Sequence, residues 1–351
     1  MISAAPSALD SDAVRATVAG LKAWICSGAC QSLSGAFVAW VDLVSGRLAF
    51  DYAEITGYAL TYLAHQGSLA AELTVGRRAA DWLVARLRRG ALAARDGWDG
   101  DAVYLFDLGM IATGLLSFGR RTRTERYIDA GRSLVDLIGD ELGAGQPAAL
   151  ARSGPRSARS SWSTRGTAHL TKLAQPFLLC GRTEPAAALV ENALSLQRSD
   201  GRFPTSEDEA TTMLHPHMYA AEGLWVWGAA HGDEDAVEHA RAALGWAWSY
   251  QLESGGLPRA VTRGRVDGPE QCDLTAQAVR LSLAMGWRSP AVERGIRRLV
   301  EVARERRGKL ALPYQPESPE QHLNTWATLF GAQALELAAQ ARPALAWAEL
   351  V

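Results

Sequence analysis

The feature that most constrains this chain is an alternation of two kinds of helical segment. One kind is amphipathic: in 289–304, Val292 and Ile296 fall on one apolar stripe while arginines lie off it, which is typical of a helix with one wet face. The other kind is apolar on nearly every side, as in 104–119 and 325–338. Because such a helix must be buried all round, the alternation predicts inner helices surrounded by outer ones.

The buried-type segments recur as a repeat, and clear strand patterns are nearly absent. They begin near residues 51, 101, 165, 214, 271 and 321. Amphipathic segments lie between them at about 73–90, 124–141, 185–197, 235–251 and 289–306, and a sixth at about 11–30 would close against the last inner helix. Six inner and six outer helices predict an all-α (α/α)6 toroid, formed by residues 1–351 as a single domain. An open α-solenoid is the alternative.

Composition limits the classes of function. Of the 351 residues 48% are hydrophobic and the net charge is −2, which does not favour a nucleic-acid binder that neutralises phosphates. No apolar run is long enough for a membrane span, and the N-terminus, with Asp10 and Asp12, does not resemble a signal peptide. We interpret Cys26 and Cys30 as buried thiols. Four cysteines without a disulfide pattern favour a cytoplasmic location.

Residues 142–166 are the least structured stretch in this interpretation, being rich in Gly, Ser, Pro and Arg. We expect a long flexible loop or lid there. Its arginines, together with Arg259, Arg263 and Arg265 near the fifth inner helix, are candidates to attract an anionic substrate. The alternative is that these arginines are simply solvated.

Polar residues gather where the inner helices begin. In an alternating ring all inner helices point the same way, so their N-termini form one end of the ring, here called the mouth. The candidates there are Tyr52, Glu54, Tyr58, Tyr104, Asp107, Trp162, Arg165, His169, His215, His217, Tyr219, Glu222, Asp273, Gln277, Asn324 and Trp326. Convergent acids, imidazoles, phenols and indoles predict a pocket for a small molecule, with six helix N-termini favouring an anion.

The residue types divide this set by chemistry. The candidate catalytic residues are Glu54, Tyr58, Asp107, His169, His215 and His217; the other ten are candidate substrate-binding residues. A carboxylate inside an apolar helix needs a partner or a raised pKa, which favours function for Glu54 and Asp107. Helix capping alone would explain Asp273, and a structural ion pair would explain Glu222. The His-x-His pair has no third ligand at a recognisable spacing, so we expect no metal and no cofactor.

Five segments carry a resemblance to known proteins. They are DYAEITGYAL (51–60), VYLFDLGMIATGLL (103–116), LHPHMYAAEGLW (214–225), CDLTAQAVRL (272–281) and LNTWATLFGAQALEL (323–337). In this order they resemble bacterial α/α-toroid proteins associated with polysaccharide biosynthesis. More distantly, the chain is similar to glucuronyl C5-epimerases, unsaturated-uronyl hydrolases and N-acyl-glucosamine 2-epimerases. Leu108 replaces the usual Thr after Phe-Asp, and the paired-histidine pattern of the 2-epimerases is not evident.

The resemblance implies a sugar or sugar-derived, anionic substrate at the mouth and acid–base chemistry by an epimerase or isomerase. A glycoside hydrolase or lyase acting on uronyl sugars is an alternative. A terpenoid-cyclase or prenyltransferase-like toroid is another, favoured by turns in 194–204 and 249–260 and by the faintly zinc-like Cys272, Asp273 and His322. Against it, 99–102 lacks the D-x-D-D acid of the cyclases. A non-catalytic binding scaffold is the last alternative.

Overall fold

A computed structural model describes residues 10–67, 69–91, 102–143, 149–151, 168–205, 209–318 and 320–351. Twelve α-helices lie in these ranges: α1 (Ser11–Cys26), α2 (Ala53–Gln66), α3 (Ala70–Arg88), α4 (Leu105–Thr122), α5 (Glu125–Gly143), α6 (Ala174–Leu179), α7 (Thr183–Leu196), α8 (Leu214–His231), α9 (Glu234–Trp248), α10 (Cys272–Ala284), α11 (Pro290–Val302) and α12 (Thr325–Ala338). Within the same ranges, no helix is long and apolar enough to cross a membrane.

The helices alternate between an outer and an inner ring, as the two kinds of segment predict. Even-numbered helices are inner and are buried along most of their length, whereas α11 buries only a stripe. A 3₁₀ segment, Ala168–Leu173, extends the short α6 at its N-terminal side. Each inner helix contacts the next, and α12 contacts α2. The Tyr62 hydroxyl of α2 donates to Glu336 Oε1 of α12 at 2.6 Å, so the ring is closed and the open solenoid is excluded.

The close crossing of α2 and α4 in the inner ring depends on two glycines. A Cβ on Gly57 of α2 would lie 2.5 Å from the carbonyl oxygen of Met110 in α4, and a Cβ on Gly114 would collide with the Gly57 carbonyl. Side chains at these positions would therefore push α2 and α4 apart. This crossing fixes the first turns of α2 and α4, which carry Glu54 and Asp107, side by side.

Short strands, which the sequence patterns do not predict, lie in the loops around the mouth. They are β1 (Trp40–Asp42), β2 (Ala102–Tyr104), β3 (Ala149–Ala151), β4 (Thr211–Met213), β5 (Leu257–Thr262), β6 (Arg265–Gln271), β7 (Arg304–Arg306), β8 (Lys309–Ala311) and β9 (His322–Asn324). All pairings are antiparallel: β1 with β9, β2 with β3, β4 with β5, β5 with β6 and β7 with β8. Strands β2, β4, β6 and β9 each lead directly into an inner helix.

The predicted loop at 142–166 is partly regular. Helix α5 continues to Gly143, and β3 pairs with β2. The rest of that stretch lies outside the described residues, so its interpretation as a lid stays a prediction, as does the assignment of 1–351 to one domain.

A C-terminal segment, residues 345–351, covers the end of the ring opposite the mouth. Leu350 and Val351 are each 1% exposed. Gln175 Nε2 donates to the Leu350 carbonyl oxygen at 2.8 Å, and Gln333 Oε1 accepts from the Val351 N–H at 3.1 Å. Because α6 and α12 both bind this segment through buried amides, it forms a floor for the inner ring.

Candidate functional site

The inner helices direct side chains inward in three layers. Residues at i, i+4 and i+7 share one helix face, so one inner helix can place a residue in each of the three layers. The 1.5 Å rise per residue puts the second and third layers about 6 and about 10 Å below the first. The first, or mouth, layer includes Glu54, His169, His215, Asp273 and Trp326. The second, the tyrosine layer, includes Tyr58, Tyr219, Gln277 and Phe330. The third, the ion layer, includes Lys172, Glu222, Arg280 and Gln333.

An imidazole–carboxylate pair is central to the mouth layer. His215 Nδ1 lies 3.1 Å from Asp273 Oδ2, joining the first turns of α8 and α10. The His215 ring meets Tyr219 and Trp326 edge to face, with ring centroids 4.5 and 4.7 Å apart. The His215 side chain is 14% exposed whereas that of Asp273 is 1% exposed. The buried carboxylate of Asp273 therefore lies beside an imidazole that is still partly exposed.

A second imidazole lies on the neighbouring inner element. His169, in the 3₁₀ segment before α6, is buried, and its ring centroid is 5.9 Å from that of Phe106. Phe106 in turn lies 4.4 Å from Tyr219, which contacts His215. Burial, with a smaller effect of His215, lowers the pKa of His169 to about 4. His169 is therefore neutral at pH 7 and can accept a proton.

Two carboxylates and two phenols complete the upper layers. Glu54 and Asp107 are 0% and 2% exposed, in the first turns of α2 and α4, where the helix dipole favours a negative charge. The Tyr58 hydroxyl donates to the Tyr219 hydroxyl at 3.0 Å. Burial, and to a smaller extent the charge of Glu54, raises the pKa of both tyrosines well above 10. Both phenols therefore stay protonated at neutral pH.

The ion layer is a fully buried charge cluster. Glu222 Oε2 lies 3.1 Å from Lys172 Nζ, Glu222 Oε1 accepts from Arg280 Nε at 3.2 Å, and all three side chains are 0% exposed. The Arg280 guanidinium also lies 3.8 Å from the centroid of the Phe330 ring. Burial tends to raise the pKa of Glu222, but the charges of Arg280 and Lys172 lower it below its ordinary value. The cluster keeps an ionised acid in the middle of the ring.

Comparisons with known proteins match the architecture. No family model and no curated protein matches the sequence. Among solved structures, cellobiose 2-epimerase from Bacillus thermoamylovorans is similar with a TM-score of 0.72 at 11% identity, covering 93% of this chain and 98% of that one. The cellobiose 2-epimerase of Spirochaeta thermophila gives 0.66 at 15%, covering 95% and 100%. An unsaturated glucuronyl hydrolase from a Bacillus species gives 0.63 at 13%, covering 96% and 97%.

The chain is an (α/α)6 toroid. The toroid brings together most of the predicted site residues, but not all of them lie in the mouth layer. Glu222 and Gln277 lie deeper, where Gln277 Nε2 donates to Glu222 Oε1 at 3.3 Å. Asn324 caps α12, its Oδ1 accepting from the Ala327 N–H at 2.8 Å. Tyr52 contacts Trp326 at the edge of the mouth, with ring centroids 6.3 Å apart.

His217 points out of the toroid's interior. Its Nδ1 accepts from the Phe203 N–H at 3.2 Å, and its Nε2 lies 2.9 Å from the carbonyl oxygen of Ala243 in the outer helix α9. Both ring nitrogens of His217 thus contact backbone groups. His217 holds α8 against α9, and the structure does not bring it to the other candidate catalytic residues.

Tyr104 is buried directly before α4, while Trp162 and Arg165 lie outside the described residues. Reasoning from sequence missed Phe106 and Arg280, although an arginine seven residues after Asp273 in a helix buried all round was a usable signal.

The zinc-like residues noted in the sequence do not form one cluster in the toroid. Asp273 pairs with His215, whereas the His322 ring stacks on Trp40 with centroids 4.8 Å apart. Within the ranges that the structure describes, no group of three or more His, Cys, Asp or Glu residues is placed to hold a metal ion.

Proposed function

We propose that this toroid is a carbohydrate-active enzyme that binds a sugar or sugar-derived, anionic substrate at the mouth layer and acts as an epimerase or isomerase by acid–base chemistry. One observation carries the proposal: the imidazoles of His169 and His215 flank Tyr219 and Phe106, and Asp273 orients the second of them. Epimerisation needs two such groups, because one must take a proton from the stereocentre and another must return a proton to the opposite face.

The chemistry follows from the protonation states of these groups. The neutral imidazole of His169 removes the proton from the carbon next to a carbonyl or carboxylate, and the C–H electron pair moves into an enolate. Asp273 stabilises the imidazolium form of His215, which is the proton donor. The Tyr219 hydroxyl, which accepts from Tyr58, and the helix N-termini of the mouth supply hydrogen-bond donors for the enolate oxygen. His215 returns a proton to the other face of the same carbon, and the proton gained by His169 balances the one that His215 gives up.

The structural neighbours also support the proposed substrate class. Proteins with this fold include cellobiose 2-epimerases and an unsaturated glucuronyl hydrolase. Their names concern sugars, and the neighbours include both an isomerising and a hydrolysing activity. We expect the partner of this chain to be a small sugar-like molecule.

Hydrolysis of a uronyl sugar is the second candidate, favoured by the two buried carboxylates in adjacent first turns. Glycoside hydrolysis needs a carboxylic acid as proton donor together with an activated water. Glu54 and Asp107 are the residues that could fill these roles. In this scheme His215 and Asp273 would bind the sugar rather than exchange its protons.

The test is deuterium incorporation from D2O into cellobiose, glucose and glucuronic acid, followed by NMR. We expect deuterium at one carbon of an accepted sugar, and a loss of at least about 100-fold in His215→Asn, Glu54→Gln and Asp107→Asn with folding intact. His231→Asn is the matched control, because His231 is exposed at the opposite end of α8 and its loss should leave turnover unchanged.

Two results would redirect the proposal. Cleavage of an unsaturated uronyl disaccharide without deuterium incorporation would favour the hydrolase. Unchanged turnover in both Glu54→Gln and Asp107→Asn would contradict the site. A protein whose melting temperature responds to none of these sugars would be a scaffold instead.

A further inference from the structure

A surface depression with sugar-binding chemistry lies outside the mouth layer. It has a volume of about 240 Å³ and lies where β1 pairs with β9. Its lining includes Trp40, Asp42, Arg47, Leu48, Phe50 and His322. None of these residues has a part in the acid–base chemistry described above.

Aromatic rings form one side of this depression. Trp40 and His322 stack with an interplanar angle of 18°, and Phe50 meets Trp40 edge on with centroids 5.3 Å apart. The strand pairing of Asp42 with His322 fixes these side chains relative to one another. All three rings are only partly buried, so each keeps exposed surface although Trp40 and Phe50 also pack against the core. Exposed ring surface of this kind is what the C–H faces of a pyranose pack against.

Charged groups border the rings. Asp42 Oδ1 accepts from the Ser45 N–H at 2.7 Å and from the Ser45 hydroxyl at 2.6 Å, and these hydrogen bonds lower the pKa of Asp42. Asp42 is therefore an ionised acceptor beside the rings, while Arg47 offers a fork of donors. A ring face next to a carboxylate and a guanidinium matches a saccharide, which presents an apolar face and a belt of hydroxyls.

A series of ring contacts, which passes through the buried Tyr52, links the depression to the mouth. The ring centroids of Phe50 and Tyr52 lie 5.7 Å apart, those of Tyr52 and Trp326 6.3 Å, and those of Trp326 and His215 4.7 Å. By chain length, His322 and Trp326 are four residues apart and so at most about 14 Å apart. The depression is thus close enough to the mouth for a further unit of a saccharide whose first unit is held there.

We propose that this depression is a rim subsite for a further sugar unit, so that the substrate is a disaccharide or longer saccharide whose terminal sugar reaches His215. The assignment of the terminal sugar rests on the proposed function. The rim subsite itself rests on the Trp40, Asp42 and His322 geometry.

The test uses binding rather than turnover. The full chain is labelled with 5-fluorotryptophan, the Trp40 signal is assigned in ¹⁹F NMR with Trp40→Phe, and the probes are glucose, cellotriose, galacturonic acid and trigalacturonate. We expect a trisaccharide to shift the Trp40 signal. Trp40→Ala should weaken trisaccharide binding at least fivefold and leave monosaccharide binding unchanged. Trp82→Ala is the matched control, because the half-buried Trp82 on α3 packs with Arg86 in another depression, and it should change neither.

Each outcome decides the proposal. An unmoved Trp40 signal with all four probes, or equal weakening of monosaccharide and trisaccharide by Trp40→Ala, overturns the rim subsite. If Trp40 responds as expected but no sugar exchanges deuterium, the rim subsite stands and the proposed acid–base function fails.

Discussion

The ion layer makes a sharp prediction about stability, because two cations share one acid. Glu222→Gln keeps the shape of the side chain but leaves Lys172 and Arg280 buried without their carboxylate. Lys172→Met removes one cation and leaves Glu222 and Arg280 paired one to one. Two substitutions in the same cluster, each removing one charge, should therefore have very different effects.

The magnitudes follow from the burial of all three groups. Removing one partner of a buried ion pair costs about 3–5 kcal/mol, since the remaining charge is uncompensated. We expect that loss for Glu222→Gln at pH 7. For Lys172→Met we expect a change within about 1.5 kcal/mol, because an ion replaced by an apolar group of similar volume is often tolerated.

The pH dependence gives the prediction a second, independent readout. Burial lowers the pKa of Lys172 from 10.5 to about 8. Between these values the unfolded chain still holds the proton that the folded chain has released, so stability rises with pH across this window, by up to about 3 kcal/mol in all. The buried thiols Cys30 and Cys272 act in the opposite direction at high pH, since burial raises their pKa. The rise is therefore measured as the difference between wild type and Lys172→Met.

Urea unfolding followed by tryptophan fluorescence at pH 7, 8 and 9 measures these quantities. The reasoning is refuted if Glu222→Gln and Lys172→Met destabilise equally, or if the difference between wild type and Lys172→Met does not change with pH.

Two further predictions concern packing. Gly57→Ala should lower the free energy of unfolding by about 3 kcal/mol or more, because its Cβ would meet the backbone of Met110 and overpacking against backbone cannot relax. Thermal unfolding measures this loss. Gly143→Ala is the control and should be neutral, because there is open space around its Cβ. His217→Ala should lower the free energy of unfolding by about 2–4 kcal/mol, because the Phe203 N–H and the Ala243 carbonyl lose their partner. The variant should keep the wild-type turnover per folded molecule. Loss of turnover with unchanged stability would instead make His217 a catalytic residue.

The ring was predictable because burial imposes a period on the sequence. Helix α8 has to be apolar all round, since it is packed on all sides, whereas α11 needs only the stripe of Val292 and Ile296. The gathering of polar residues at the mouth was predictable for a related reason. A polar residue near the start of an apolar inner helix lies at the shared mouth, because the rest of that helix is surrounded by apolar side chains. Glu54, His215 and Asp273 are examples.

The features that the sequence did not predict depend on the direction in which a side chain points and on partners that are far apart in the sequence. The His215–Pro216–His217 pair was treated as one feature, yet residues i and i+2 on a helix do not face each other. That geometry sends His215 inward and His217 toward α9. The ion layer depends on Lys172, Glu222 and Arg280 from three separate elements, which no local pattern joins. The three-residue strands are too short for a period of two to be visible.

The segment that contains Leu350 and Val351 closes the end of the toroid opposite the mouth. Its interior is filled in turn by the phenols, the buried ions and the amides of Gln175 and Gln333. A polymer cannot be threaded through such a ring, so only the tip of a chain could reach His215. Under the proposed function, each product would have to leave by the route through which its substrate entered.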